Sequence, residues 1–164
     1  RAAFGDERED YGEALKRNYE EGPKPGWQEI YISSYASVHP WEDFAECFAH
    51  YLHIVDTLET AHAFGIAIEP EGHEDMATEV AFDPYRARSA QRLVNAWVPL
   101  SVALNSMQRS MGEADLYPFV LTPAVVEKLQ FIHDLVHGKI PANSDLNAPA
   151  PVSNNQAFQP QAAE

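Results

Sequence analysis

The stretch HPWEDFAECFAHYLHIVDTLETAHAFG, residues 39–65, constrains the fold more than any other part of the chain. His39-Pro40 places proline at the first helical position, where its missing N–H costs nothing. Glu42 and Asp43 then fall in the first turn, where the helix dipole favours anions. Gly65 can close the far end in a left-handed conformation. The spacing predicts a helix over 40–64, with Phe44, Phe48, Leu52, Val55 and Leu58 as its apolar stripe. A helix of that length needs other helices to cover it, so the expected fold class is mainly α.

The flanking segments agree. Residues 5–22 predict a short helix capped by Asp6, with Tyr11, Leu15 and Tyr19 on one side and Gly22-Pro23 as the stop. Residues 27–38 are aromatic and β-branched, and read as a short extended piece or a further helical turn. Over 66–84 the periodicity disappears and acidic residues cluster, which predicts a surface loop. Helical spacing returns through Leu93, Val94, Trp97, Leu100 and Leu104, with Pro99 as an expected kink or break. A last helix over 122–138 has Thr122 as cap, Pro123 next, Val126, Leu129, Ile132 and Val136 on one side, and Gly138 at the end. Beyond Ile140 the chain is Pro, Asn, Ala and Gln with few core formers. The expected organisation is a helical domain over 1–140 and a disordered tail over 141–164.

Composition narrows the function. The chain has 164 residues, of which 25 are Asp or Glu and 11 Lys or Arg, a formal charge of −14. Such a surface repels phosphate backbones and anionic lipid, so neither nucleic acid nor a membrane is an expected partner. No apolar run approaches the ~20 residues of a membrane span. The single cysteine, Cys47, excludes an internal disulfide framework and favours a reducing, cytoplasmic setting.

The long helix carries five carboxylates and four histidines between residues 39 and 62. Glu42 and Glu46, four apart, share one line of the helix, continued towards His50 and His53. An acidic residue on a helix most often marks a solvated face. Here both carboxylates are framed by Trp41, Phe44, Ala45 and Phe48, which predicts partial burial, and a partly buried charge wants a partner. Between Lys24 and Arg86 the only basic side chains are histidines. A metal cation, or a histidine from elsewhere, is therefore the expected counter-charge. His50 and His53 are read as structural.

Three blocks, FGDERED, SSYASVHPWEDFAECFAHYLHIVDTLETA and MGEADLYPFVLTPAVVEKLQFIHDLV, carry a resemblance to the bacterial zinc-binding metallopeptidases, zincins with an H-E-x-x-H helix and a downstream glutamate ligand. With their spacers they cover most of residues 4–137. A more distant likeness is to the lethal-factor-like metalloproteases, in which a tyrosine precedes an E-x-F-A-E segment by seven positions, as Tyr35 precedes Glu42 here. The resemblance implies the C-terminal helical subdomain of a zincin-like peptidase acting on a peptide or protein substrate with zinc as cofactor. It implies Glu42 as a zinc ligand and Glu46 as the carboxylate that receives the outer N–H of a zinc-bound histidine. It implies Tyr35 as the phenol that stabilises the oxyanion.

The chain departs from that pattern in one respect. It contains no H-E-x-x-H; HEDMA at residue 73 lacks the second histidine. The expectation is that the two histidine ligands and the general base lie upstream of this sequence, and that these residues alone do not cleave peptides. Two other readings remain. A di-iron carboxylate protein would use Glu59 and His62 as an E-x-x-H pair, but Glu127 has no histidine three residues on. A non-catalytic helical module would bind a partner through the acidic loop or an aromatic surface, although Trp27, Trp41 and Trp97 are equally explained as core.

Overall fold

The computed structural model describes residues 3–139, so the expected tail at 141–164 lies outside the described residues. Helix α1 spans Tyr11–Glu21, α2 Pro40–Phe64, α3 Ala90–Ser110 and α4 Pro123–Val136, and two-residue strands β1 (Ala67–Ile68) and β2 (Thr78–Glu79) sit between α2 and α3. The fold is mainly α. Among the described residues no helix is long and apolar enough to cross a membrane.

Helix α2 is the axis of the structure, 25 residues and therefore about 37 Å long. Its first turn is capped by His39, whose Nδ1 accepts the Trp41 N–H at 3.1 Å, and Gly65 closes it at φ 62°. The face it buries overlaps the predicted stripe only in part, at Val55 and Leu58. Cys47, Tyr51, Ile54, Val55, Leu58 and Ala61 are buried, whereas Phe44 and Phe48 are half-buried and Leu52 is exposed. Helix α2 packs on both α3 and α4, and the Phe44–Phe48 line lies at the margin of the core, where Phe4 meets Phe44 edge-on.

Helix α4 begins where Thr122 and Pro123 predict, with Thr122 Oγ1 accepting from the Val125 N–H. It buries Val125, Leu129 and Ile132, together with two polar side chains, Lys128 and His133, while Val136 is exposed. Each fully buried Leu or Ile contributes about 1.5–3 kcal/mol, so Ile54, Leu58, Leu93, Leu129 and Ile132 form the energetic centre.

The remaining expectations are met in part. Asp10, not Asp6, caps α1, accepting the Glu13 N–H at 2.9 Å; Asp6 instead accepts hydrogen bonds from Arg8. In α1 the buried residue is Ala14, and Tyr19 is exposed, so the tyrosine stripe faces the core only in part. Pro99 does not break α3. The carbonyl it frees is that of Asn95, one turn back on an exposed position. Residues 27–38 form two short 3-10 turns, Trp27–Glu29 and Tyr35–Ser37, and the latter packs on α2. The 66–84 segment is a mostly exposed excursion pinched by β1 and β2, antiparallel with Ala67 opposite Glu79. Of the tryptophans, Trp97 is core, Trp27 half-buried and Trp41 exposed.

Candidate metal-ligand face of the central helix

The N-terminal two turns of α2 meet α1 and the Tyr35–Ser37 turn, and the sequence-predicted residues come together there. Glu42 is half-buried. Its Oε1 accepts the Tyr11 hydroxyl at 2.6 Å and the Tyr35 hydroxyl at 3.2 Å. The Tyr11 phenol is pushed well above its ordinary range, first by the bond to Glu42 and then by Tyr35. It is a committed donor at neutral pH. Glu46, one turn on, accepts the Ser33 hydroxyl at 2.9 Å through Oε2, while Ser33 Oγ itself accepts the Ala36 N–H at 3.0 Å. Tyr35 is 41% exposed, so its hydroxyl lies at the open side of this group.

Two neighbours hold the face together. His39 is buried; because its Nδ1 accepts from Trp41, its proton sits on Nε2 and is donated to the Glu9 carbonyl at 2.9 Å. The indole of Trp41 stacks on Tyr11 at 5.8 Å, and His39 meets both rings edge-on. On the inner side of α2, Asp43 forms a buried ion pair with Lys128 of α4 at 2.6 Å. Burial pushes the Asp43 carboxyl up, with Lys128 pulling the other way. Cys47 lies beside Asp43, its thiol pushed up by burial, so it is an inert core residue.

Among the described residues, hydroxyls and not histidines face the two carboxylates. Glu42 and Glu46 are met by neutral hydroxyls, and the one buried lysine serves Asp43 between them. A half-exposed carboxylate needs less than a full counter-ion: two hydroxyl donors replace part of its hydration. Nothing in the sequence pointed to Tyr11, Ser33 or Lys128, which lie 31, 13 and 85 residues from their partners.

The histidines further along are occupied elsewhere. His50 is buried with Nδ1 2.8 Å from the Tyr117 hydroxyl and its ring edge-on to Phe119, while His53 is exposed. The di-iron pair also separates, since His62 Nδ1 contacts the Val80 carbonyl and Glu59 accepts from Tyr85.

A catalytic zinc takes three protein ligands and keeps one position open. Among the described residues no group of three or more His, Cys, Asp or Glu side chains could hold a metal. As a single ligand Glu42 fits. Its Oε1 is oriented by two phenols, and among the described residues Oε2 takes no hydrogen bond, which leaves that oxygen for a cation. Hydrogen bonds of this kind orient ligating carboxylates generally.

Among curated proteins, uncharacterized proteins of Mycobacterium bovis and of two Mycobacterium tuberculosis strains are each 49% identical to the chain over 135 residues. The match covers 81% of this chain and 37% of each relative, so the chain spans little more than a third of their length. No solved structure matches it. A family model covers residues 1–135, which include every residue of the Glu42–Glu46 face, and the chain belongs to the family described as "Putative zinc-binding metallo-peptidase".

Proposed function

We propose that the chain is the part of a zinc-dependent peptidase that supplies Glu42 as a zinc ligand and Tyr35 as the oxyanion donor, the two histidine ligands and the general base coming from an H-E-x-x-H helix elsewhere in the protein. The observation that carries this reading is the convergence on Glu42 Oε1 of two phenols from separate elements, with Oε2 left open at the protein surface. Bound zinc would supply Lewis acidity and lower the pKa of its water.

The chain's own residues divide the remaining work. Tyr11 holds the Glu42 carboxylate in one rotamer. Tyr35, on the exposed side and at the longer distance of 3.2 Å, exchanges its carboxylate acceptor for the carbonyl oxygen of a peptide as negative charge develops there. Glu46 accepts the outer N–H of a ligating histidine, fixing its tautomer, while Ser33 keeps the carboxylate aimed.

The test uses the whole protein, with metal analysis and peptide turnover measured side by side. Glu42→Gln is expected to lose zinc and activity together. Tyr35→Phe is expected to keep zinc and lose turnover by about 10²-fold, the usual cost of one oxyanion donor. Zinc and activity both intact in Glu42→Gln defeats the ligand assignment, and zinc loss in Tyr35→Phe defeats the role given to the phenol.

A further inference from the structure

Lys128 lies outside the Glu42–Glu46 face, yet its ammonium joins the two segments that build it. Its Nζ donates to Asp43 Oδ2 at 2.6 Å and to the Ile30 carbonyl at 2.9 Å, and sits 4.2 Å from the centre of the Tyr31 ring. Asp43 is the residue after Glu42 and one turn of helix from Cys47, on the inner side of α2. Ile30 and Tyr31 begin the segment that delivers Ser33 to Glu46 and Tyr35 to Glu42. That segment has no long helix or ladder of its own. It is a 3-10 turn held by the Ser37 N–H on the Ser34 carbonyl and the Val38 N–H on the Tyr35 carbonyl.

We propose that Lys128 is a positioning residue for the site: a buried ammonium that locks the 30–37 segment to α2, so that Ser33 and Tyr35 stay in register with Glu46 and Glu42. Its catalytic consequence rests on the peptidase reading; its structural consequence does not. An apolar contact between α4 and α2 would stabilise the fold as well. What an apolar side chain cannot do is hold a carbonyl of one segment and a carboxylate of the other at fixed angles. A buried cation with two charge-assisted bonds does.

The decisive variant is the double replacement Lys128→Met with Asp43→Leu, which keeps the branching of each side chain close to the original and leaves no buried charge unpaired; Lys128→Met alone is compared with it. Amide hydrogen exchange is followed in the whole protein at Ala36, Ser37 and Val38, with Leu93, Val94 and Trp97 of α3 as internal reference. Zinc content, kcat and KM are measured on the same preparations. The double variant is expected to exchange about tenfold faster or more at 36–38 with α3 unchanged, because a local opening replaces a locked segment. Its zinc content should hold while kcat falls by about tenfold or more, KM moving less, since Tyr35 serves the transition state. Unchanged exchange at 36–38 in a folded double variant overturns the clamp. Faster exchange at 36–38 with kcat intact overturns its catalytic consequence. If the wild-type protein turns over no peptide while the exchange result holds, the peptidase reading has failed and the clamp stands as a structural device.

Discussion

Burial changes what a histidine does for this protein. His50 is 6% exposed, its Nδ1 lies 2.8 Å from the Tyr117 hydroxyl, and burial, reinforced by His53, pulls its pKa down to about 4 from an ordinary 6.5. A folded-state value below the unfolded one means that the unfolded chain takes up the proton first. The stability contributed by the neutral ring is whole above pH ~6.5 and is lost as pH falls towards 4, by at most about 3 kcal/mol. His133, fully buried and 3.1 Å from the Tyr51 hydroxyl, is shifted in the same direction. His50→Gln keeps an acceptor for Tyr117 but has nothing to protonate. Urea unfolding between pH 7 and 4 should therefore show a visibly flatter decline in that variant, the His133 contribution being common to both proteins. Parallel declines would show that the His50 ring is solvated or charged in the folded state.

At the level of elements, His39 does two jobs that a simpler cap would separate. Nδ1 caps α2, and the Nε2 proton ties the Glu9 carbonyl, and with it the start of α1, to the same helix end. Asparagine at 39 can cap but cannot reach Glu9. His39→Asn is expected to cost about 1–2 kcal/mol, one buried hydrogen bond with its carbonyl left behind, and to raise the exchange rate of α1 amides without fraying α2. Fraying of α2 with α1 intact would reverse the assignment. The same residue shows what could be read from letters alone. Both ends of α2 and the start of α4 were legible, because His39-Pro40, Gly65 and Thr122-Pro123 act on neighbours within one turn. The face α2 buries was read correctly at Val55 and Leu58 and wrongly towards its start, because Phe44 and Leu52 look more apolar than Cys47 and Tyr51, and only the packing of the other helices decides which side is covered. On the Glu42–Glu46 face, the two carboxylates were legible as a pair one helical turn apart, and Tyr35 only through the family resemblance. Tyr11 and Lys128 were not, since each reaches its partner only after distant helices have packed.

For the molecule as a whole, charge and packing pull in opposite directions. A net charge of −14 on a small helical structure favours expansion, because every carboxylate repels many others across the surface. Against this stand local ion pairs such as Arg8–Asp6, Arg17–Glu9, Arg86–Asp83 and Arg109–Asp115, all partly or fully open to solvent. Exposed pairs of this kind contribute about 0–1 kcal/mol each and are screened by salt. The Asp43–Lys128 pair is buried and is screened far less. Salt therefore removes a diffuse repulsion among many like charges and a handful of weak attractions, and leaves the buried pair alone. Repulsion is the larger sum. Raising sodium chloride from about 0.05 M to 0.5 M shortens the screening length from roughly 14 Å to roughly 4 Å, and the midpoint of thermal unfolding at neutral pH is expected to rise by a few degrees. A fall over that range would mean that the surface pairs outweigh the net charge, and that the acidic excess is arranged to be locally compensated in the fold.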